Sequence, residues 1–256
     1  MTRAFELIGA NVRYGTKEVL RGISCAFDAG EFVTIIGPNG AGKSTLIGMM
    51  SGLRGGYSGS CLYRGKEVRQ WDRRAFAREV SVVPQSVRID FPFTAEQVVL
   101  MGRAPFASAL FESEEDRYHV RRVMELTGTT EFRNRDFRTL SGGEKQRVVV
   151  ASALAQMPSA LLLDEPAAYL DIEHQLALYR LLRTLSDSGV LVIAVTHDLN
   201  LAGTYASRVL LLHSGDVFAD GPPANVLTGD ILRSAFRVEA QIVKGPGERP
   251  WIRYGS

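Results

Sequence analysis

Cysteine is scarce in this sequence, and long apolar runs are missing altogether. Cys25 and Cys61 are the two cysteines in 256 residues. Neither sits at a metal-ligand spacing and together they make no disulfide framework, so both read as small apolar or surface residues of a chain kept in a reducing compartment. No stretch approaches the ~18 apolar residues that a membrane-spanning helix needs; the densest, residues 148–155 and 190–195, stop at Gln156 and Thr196. The N-terminus, Met1-Thr2-Arg3-Ala4-Phe5-Glu6, lacks the apolar centre of a signal peptide. Any service to a membrane process is therefore expected from the water side. An excess of one charge is lacking too: 30 Lys and Arg against 28 Asp and Glu leave a formal charge of +2, too small to imply nucleic acid or an anionic membrane surface. Internal repeats and low-complexity tracts are absent, and the length suits one large domain or two smaller ones.

What is present begins with Gly37-Pro38-Asn39-Gly40-Ala41-Gly42-Lys43-Ser44-Thr45, a match to the G-x-x-x-x-G-K-[ST] phosphate-binding loop. Residues 32–36 before it read as a buried strand and residues 43–50 after it as a helix. Strand, glycine loop and helix thus come in the order the motif requires. Backbone N–H groups at the three glycines turn toward phosphate oxygens, and the helix N-terminus adds partial positive charge. Lys43 reaches the β- and γ-phosphates and the Ser44 hydroxyl can ligate Mg²⁺. The competing reading is a plain glycine-rich strand-to-helix turn.

Upstream, residues 5–12, 23–27 and 32–36 read as short strands separated by Gly15, Gly22 and Gly30. Tyr14 lies in the first of these turns, where its ring can stack on an adenine or simply pack. Residues 80–83 read as a strand ending at Pro84-Gln85, and residues 93–126 turn helical, as an insertion. Apolar strands at 160–163 and 190–195 flank a helix with Leu176, Tyr179, Leu182 and Leu185 on one face. That alternation predicts a parallel α/β sheet with buried strands. After Val243 the sequence reads as a glycine-, proline- and charge-rich tail.

Four groups of residues carry chemistry. Asp164-Glu165 follows the strand Ala160-Leu161-Leu162-Leu163, so both carboxylates would reach the sheet edge that holds the phosphate loop. Asp164 can hold Mg²⁺ through its water shell, and Glu165 can orient the attacking water; as an isolated pair they would read as a solvated strand end. His197 also ends a buried strand, where it either reaches a γ-phosphate or is structural. Gln85 can offer its carbonyl oxygen to the metal or to water. In Leu140-Ser141-Gly142-Gly143-Glu144-Lys145-Gln146-Arg147, Ser141 and Glu144 fit a capping box, yet that leaves Gly142 and Gly143 unexplained in a first turn where each lowers helix stability by up to ~1 kcal/mol. Exposed N–H groups at such a helix start make a second anion site.

The phosphate loop, Gln85, residues 140–147, Asp164-Glu165 and His197 occur in the order that resembles the ATP-binding cassette superfamily. The resemblance runs from about residue 5 to 243. It implies an α/β fold of the P-loop NTPase type (RecA-like core) with an antiparallel β subdomain and an inserted helical subdomain at about 87–140, all within an ATPase domain over residues 1–243, followed by a tail over 244–256. It further implies ATP and Mg²⁺ as ligands and a head-to-tail dimer sandwiching two ATP, in which Ser141, Gly142, Gly143 and Glu144 of one chain meet the ATP held by Lys43 of the other. By the same resemblance Tyr14 stacks on adenine, Ser44, Gln85 and Asp164 serve the metal, Glu165 is the catalytic carboxylate, His197 senses the γ-phosphate and Asp171 contacts the dimer partner. Ala167-Ala168 departs from the Thr-Ser common there, which puts hydrogen bonds across the dimer in doubt.

Residues 90–103 and 221–228 look like importers of iron siderophores, haem and cobalamin. That narrower similarity implies polytopic permease subunits in contact with residues 86–103, a periplasmic or extracellular substrate-binding protein acting indirectly, and a place on the cytoplasmic face of the membrane, with no nucleic acid partner. The alternative is a soluble, non-transport cassette ATPase such as an iron–sulfur assembly component. Translation-factor relatives carry two cassettes and repair relatives a long coiled coil, neither of which this sequence has. A stand-alone phosphotransferase would leave residues 140–147 unexplained.

Overall fold

A computed structural model describes residues 2–107 and 113–254. The chain opens with two twelve-residue strands, β1 (Arg3–Tyr14) and β2 (Lys17–Asp28), followed by β3 (Phe32–Ile36) and helix α1 (Lys43–Met50). Then come β4 (Tyr57–Tyr63), β5 (Lys66–Glu67), α2 (Arg73–Glu79) and β6 (Val80–Val83). A helical stretch follows, with α3 (Ala95–Met101), α4 (Glu114–Leu126) and α5 (Gly142–Ala155). The core resumes with β7 (Ala160–Asp164), α6 (Ile172–Asp187), β8 (Leu191–Val195), α7 (Leu199–Tyr205), β9 (Arg208–His213) and β10 (Asp216–Gly221). Helices α8 (Pro223–Val226) and α9 (Gly229–Phe236) lead to a final hairpin, β11 (Ala240–Lys244) and β12 (Pro250–Tyr254).

Six strands form the central sheet in the order β10-β9-β3-β8-β7-β6. Neighbours from β9 to β6 run parallel and β10 closes one edge antiparallel. Every residue of β3, β7 and β8 is buried, as strands covered on both faces must be. Their side chains alternate between two cores. Leu162, Ile193, Val33 and Ile35 face α1 and the antiparallel sheet β2-β1-β4-β5, whereas Leu161, Leu163, Val192 and Ala194 face α5 and α6. The sheet is thus sandwiched, and the α/β expectation with its antiparallel portion holds.

Local departures have local causes. Gly22 reads as a strand breaker, but β2 runs through it: its N–H donates to Asn11 Oδ1 at 2.7 Å while Asn11 Nδ2 donates to the Gly9 carbonyl at 2.7 Å. The register of β1 against β2 shifts around Ala10, so a side chain stands in for the ladder at a bulge. The helical stretch expected over 93–126 is two helices, each started by its own capping box, Thr94 with Gln97 and Ser113 with Asp116; residues 108–112 lie outside the described residues. Arg103, expected within the partner-contacting stretch, is only 6% exposed. It donates to Asp116 Oδ1 at 2.7 Å and to the Ala155 carbonyl at 3.0 Å, tying α4 and α5 together. Within the stretch expected as a tail, 244–256, residue 244 belongs to β11 and Pro250–Tyr254 forms β12 paired to it. Ile252 is buried among Leu199, Ala202 and Leu232, an apolar anchor that composition alone conceals.

Candidate functional site

Parallel strands end at one edge of a sheet, and here four neighbouring strands, β3, β8, β7 and β6, deliver in turn the glycine loop, His197, Asp164-Glu165 and Gln85. The convergence expected for these residues is present. Gly42, at φ 102°, caps the start of α1, and a Cβ there would meet Leu20 Cδ2 at 2.6 Å and the Val19 carbonyl at 2.9 Å, so only glycine lets β2 press against the loop. Lys43 is buried, and its ammonium donates to the carbonyls of Gly37 at 2.8 Å and Pro38 at 3.0 Å. Burial lowers its pKa, while the charges of Glu165 and Asp164 pull it back up. Thr45 and Ala41 are buried beside it, and Pro38, Asn39, Gly40 and Ser44 complete the loop.

Glu165 stands at φ 52°, in the left-handed region that ordinary residues seldom occupy. Its carboxylate is engaged at both oxygens. Gln85 Nε2 donates to Oε2 at 3.2 Å, and His197 Nε2 lies 2.8 Å from Oε1. Asp164 is 8% exposed, and its Oδ1 is buried with no hydrogen-bond partner. Burial raises its pKa, against the hydrogen bond from Ser44 and the positive charge of Lys43, with Glu165 adding to the rise. An unpartnered carboxylate oxygen beside a hydroxyl suits a hard cation that keeps most of its waters or takes phosphate oxygens. Among the described residues no cluster of three His, Cys, Asp or Glu side chains makes an all-protein cage.

Tyr14 ends β1 half exposed, with the Arg54 guanidinium 5.2 Å from its ring centroid. Arg54 is a residue that sequence reasoning missed, and no motif marks it. Ser141 to Glu144 starts α5 with the expected capping box: Ser141 Oγ accepts from the Glu144 N–H at 3.2 Å, and Glu144 Oε2 accepts from the Ser141 N–H at 2.7 Å. Arg135, also unmarked in the sequence, donates to Glu144 at 2.9 Å. Tyr169 packs beside Gly142 and Gly143, where a Cβ on Gly143 would stand 3.2 Å from the Tyr169 carbonyl. Asp171 caps α6, accepting from the His174 N–H at 2.9 Å and lying 2.6 Å from its Nδ1. Among the described residues this second turn makes no hydrogen bond to the glycine loop. Within one chain the two anion-seeking helix starts remain separate.

The edge therefore offers an ammonium, a hydroxyl, two carboxylates, an amide and an imidazole around a nest of backbone N–H groups. Such a set can hold a triphosphate and place water in line with its terminal phosphoryl group. A family model described as ABC transporter matches residues 20–168. The chain is 38% identical over 238 residues to the hemin import ATP-binding protein HmuV of Rhodococcus jostii, covering 93% of this chain and 81% of that one. It is 35% identical over 237 residues to the iron(3+)-hydroxamate import ATP-binding protein FhuC of Bacillus subtilis, with coverage of 92% and 88%. Among solved structures, a dimeric ATP-binding cassette in a post-hydrolysis state with ADP and phosphate superposes with a TM-score of 0.77 at 26% identity, over 86% of this chain and 98% of that one. The chain belongs to the ABC transporter family, as an ATP-hydrolysing cassette.

Proposed function

We propose that this chain energises an importer of an iron siderophore, haem or cobalamin, working at the cytoplasmic face of the membrane against polytopic permease subunits, with an external binding protein delivering the substrate. The observation that carries the reading is the Glu165 carboxylate, held between Gln85 and His197 beside the Lys43 loop. In this role Tyr14 stacks on adenine, and the N–H groups of Gly37 to Thr45 cradle the phosphates with Lys43. Ser44, Gln85 and Asp164 would hold Mg²⁺, which when bound neutralises charge on the β- and γ-phosphates. Glu165 accepts hydrogen bonds from the attacking water and orients it, and His197 reports the γ-phosphate to Glu165. A second copy closes the site head to tail, presenting Ser141, Gly142, Gly143 and Glu144 to the γ-phosphate, with Asp171 at the shared face; each chain then uses both of its anion sites.

The importer assignment draws support from a 610 Å³ cleft beside the helical stretch. Trp71, Phe76, Val87, Ile89, Val98 and Met101 are among its lining residues, apolar surface suited to a short helix from a permease. The test is to isolate the native complex and identify its members. A polytopic membrane subunit and a bound iron chelate or corrinoid are expected. Recovery of a purely soluble assembly would instead favour an iron–sulfur assembly ATPase.

A further inference from the structure

Helix α7 starts two residues after His197, with Asp198 as its cap: the Asp198 carboxylate accepts from the N–H groups of Asn200 and Leu201 at 2.8 and 2.9 Å. The helix is only seven residues long. So short a helix has little stability of its own and takes its position from what packs against it. What packs against it is the C-terminal hairpin, at successive points along its length. Arg249 donates to the carbonyl of Ala206, just past the last turn, at 2.7 Å. Gly203 lets β12 lie directly on the helix, since a Cβ there would meet the Pro250 carbonyl at 2.6 Å. In the first turn the Asn200 amide pairs with the Ile252 backbone in both directions, Nδ2 donating to the carbonyl at 3.2 Å and Oδ1 accepting from the N–H at 2.7 Å. One side chain thus acts as a strand partner for β12. Ile252, 2% exposed, is sunk beside Leu199 and Ala202 of the same helix. At the far end of β12 partial burial and the Asp198 charge hold the Tyr254 phenol above its ordinary pKa.

We propose that the C-terminal hairpin is a positioning element for the hydrolytic site, with Asn200 as the positioning residue that fixes α7, and through it His197, against Glu165. The inference rests on the role proposed above for His197. An imidazole held 2.8 Å from Glu165 loses its function when displaced by about 1 Å, a misplacement that can lower a rate by as much as ~100-fold. Among the described residues no hydrogen bond joins the hairpin to the glycine loop, so nucleotide affinity should not follow it.

The test compares Asn200→Ala, Asn200→Asp and His197→Ala in the full chain, reading kcat and KM for ATP hydrolysis, nucleotide affinity and Tm. Asn200→Ala should lower kcat by about tenfold or more with KM and nucleotide affinity within about twofold. Asn200→Asp keeps the acceptor for the Ile252 N–H, so it folds and recovers part of the loss. The double variant Asn200→Ala/His197→Ala should turn over no more slowly than His197→Ala alone, because both changes remove one contribution. A lowered Tm with unchanged kcat in Asn200→Ala and Asn200→Asp would overturn the positioning role while leaving the site assignment intact. A further loss on top of His197→Ala would overturn it too. Undiminished turnover in His197→Ala would instead overturn the role of His197 itself.

Discussion

Asp164 carries its charge at a position where folding disfavours it. Its carboxyl is buried, Oδ1 has no partner, and its pKa is raised above 3.8 by desolvation first. A carboxyl whose folded pKa exceeds its unfolded one binds more protons in the folded chain, so stability falls as pH rises from the unfolded value through the folded one, and the full penalty is present above both. Asp164→Asn should therefore raise the Tm of the nucleotide-free chain at neutral pH by on the order of a few °C, with the gain shrinking as pH falls through the raised folded pKa and gone below about pH 4. Calorimetry across pH checks this, and a lower Tm for the variant at neutral pH would mean that the carboxylate finds its compensation in the protein alone. The same substitution should weaken the stabilisation that Mg²⁺ and ATP together confer, because the amide offers a metal far less than a carboxylate does. Asp164 was legible in the sequence because a strand pattern ends on it. Arg54 on Tyr14 was not, since the contact links the end of β1 to the turn after α1 and no local pattern encodes it.

Elements started by local chemistry could be read directly, and elements held by distant chemistry could not. The cap of α5 is written in four consecutive residues, Ser141 to Glu144, and forms as written. The tie between α4 and α5 rests instead on Arg103 turning inward to Asp116 and the Ala155 carbonyl, 52 positions away. The Arg103 and Asp116 side chains are 7% and 12% exposed, and the arginine holds the Asp116 carboxyl below the usual range. Removing one member of such a pair leaves a buried charge uncompensated, at about 3–5 kcal/mol, whereas replacing both with apolar residues of similar size is close to neutral. Asp116→Ala should lower Tm by roughly 10 °C, and Arg103→Met/Asp116→Leu should recover most of it. Equal losses in the single and double variants would show that the pair matters through packing rather than charge. The C-terminal hairpin is hidden in the sequence for the same kind of reason, because its glycines and charges resemble a tail and its anchor, Ile252, is one apolar residue whose partners lie on α7 and α9.

At the scale of the molecule, one chain holds two helix starts suited to phosphate that do not meet, and a symmetric pair of chains is the arrangement that joins them. Solved relatives with the same fold occur as dimers. The loop proposed to face the partner carries Ala167-Ala168 with exposed Tyr169 and Ile172, so in that arrangement it would offer apolar contact in place of the missing hydroxyls. In the head-to-tail pair proposed above, the triphosphate would bridge Lys43 of one chain to Ser141 of its partner, and a substitution that spoils only the second contact separates the two events. Ser141→Asp is that substitution. Aspartate caps a helix as well as serine, so α5 should keep its start and Tm should change by less than about 1 kcal/mol equivalent, but its carboxylate would face the γ-phosphate and repel it. In a Glu165→Gln background, where hydrolysis should slow by about 100-fold or more, ATP should drive the chain to twice its monomer mass in sedimentation. Adding Ser141→Asp should weaken that association at least tenfold while each monomer still binds ATP through its own glycine loop. Undiminished ATP-driven association in the double variant would place Ser141 away from the shared phosphate, and the two anion sites of the chain would then need separate explanations.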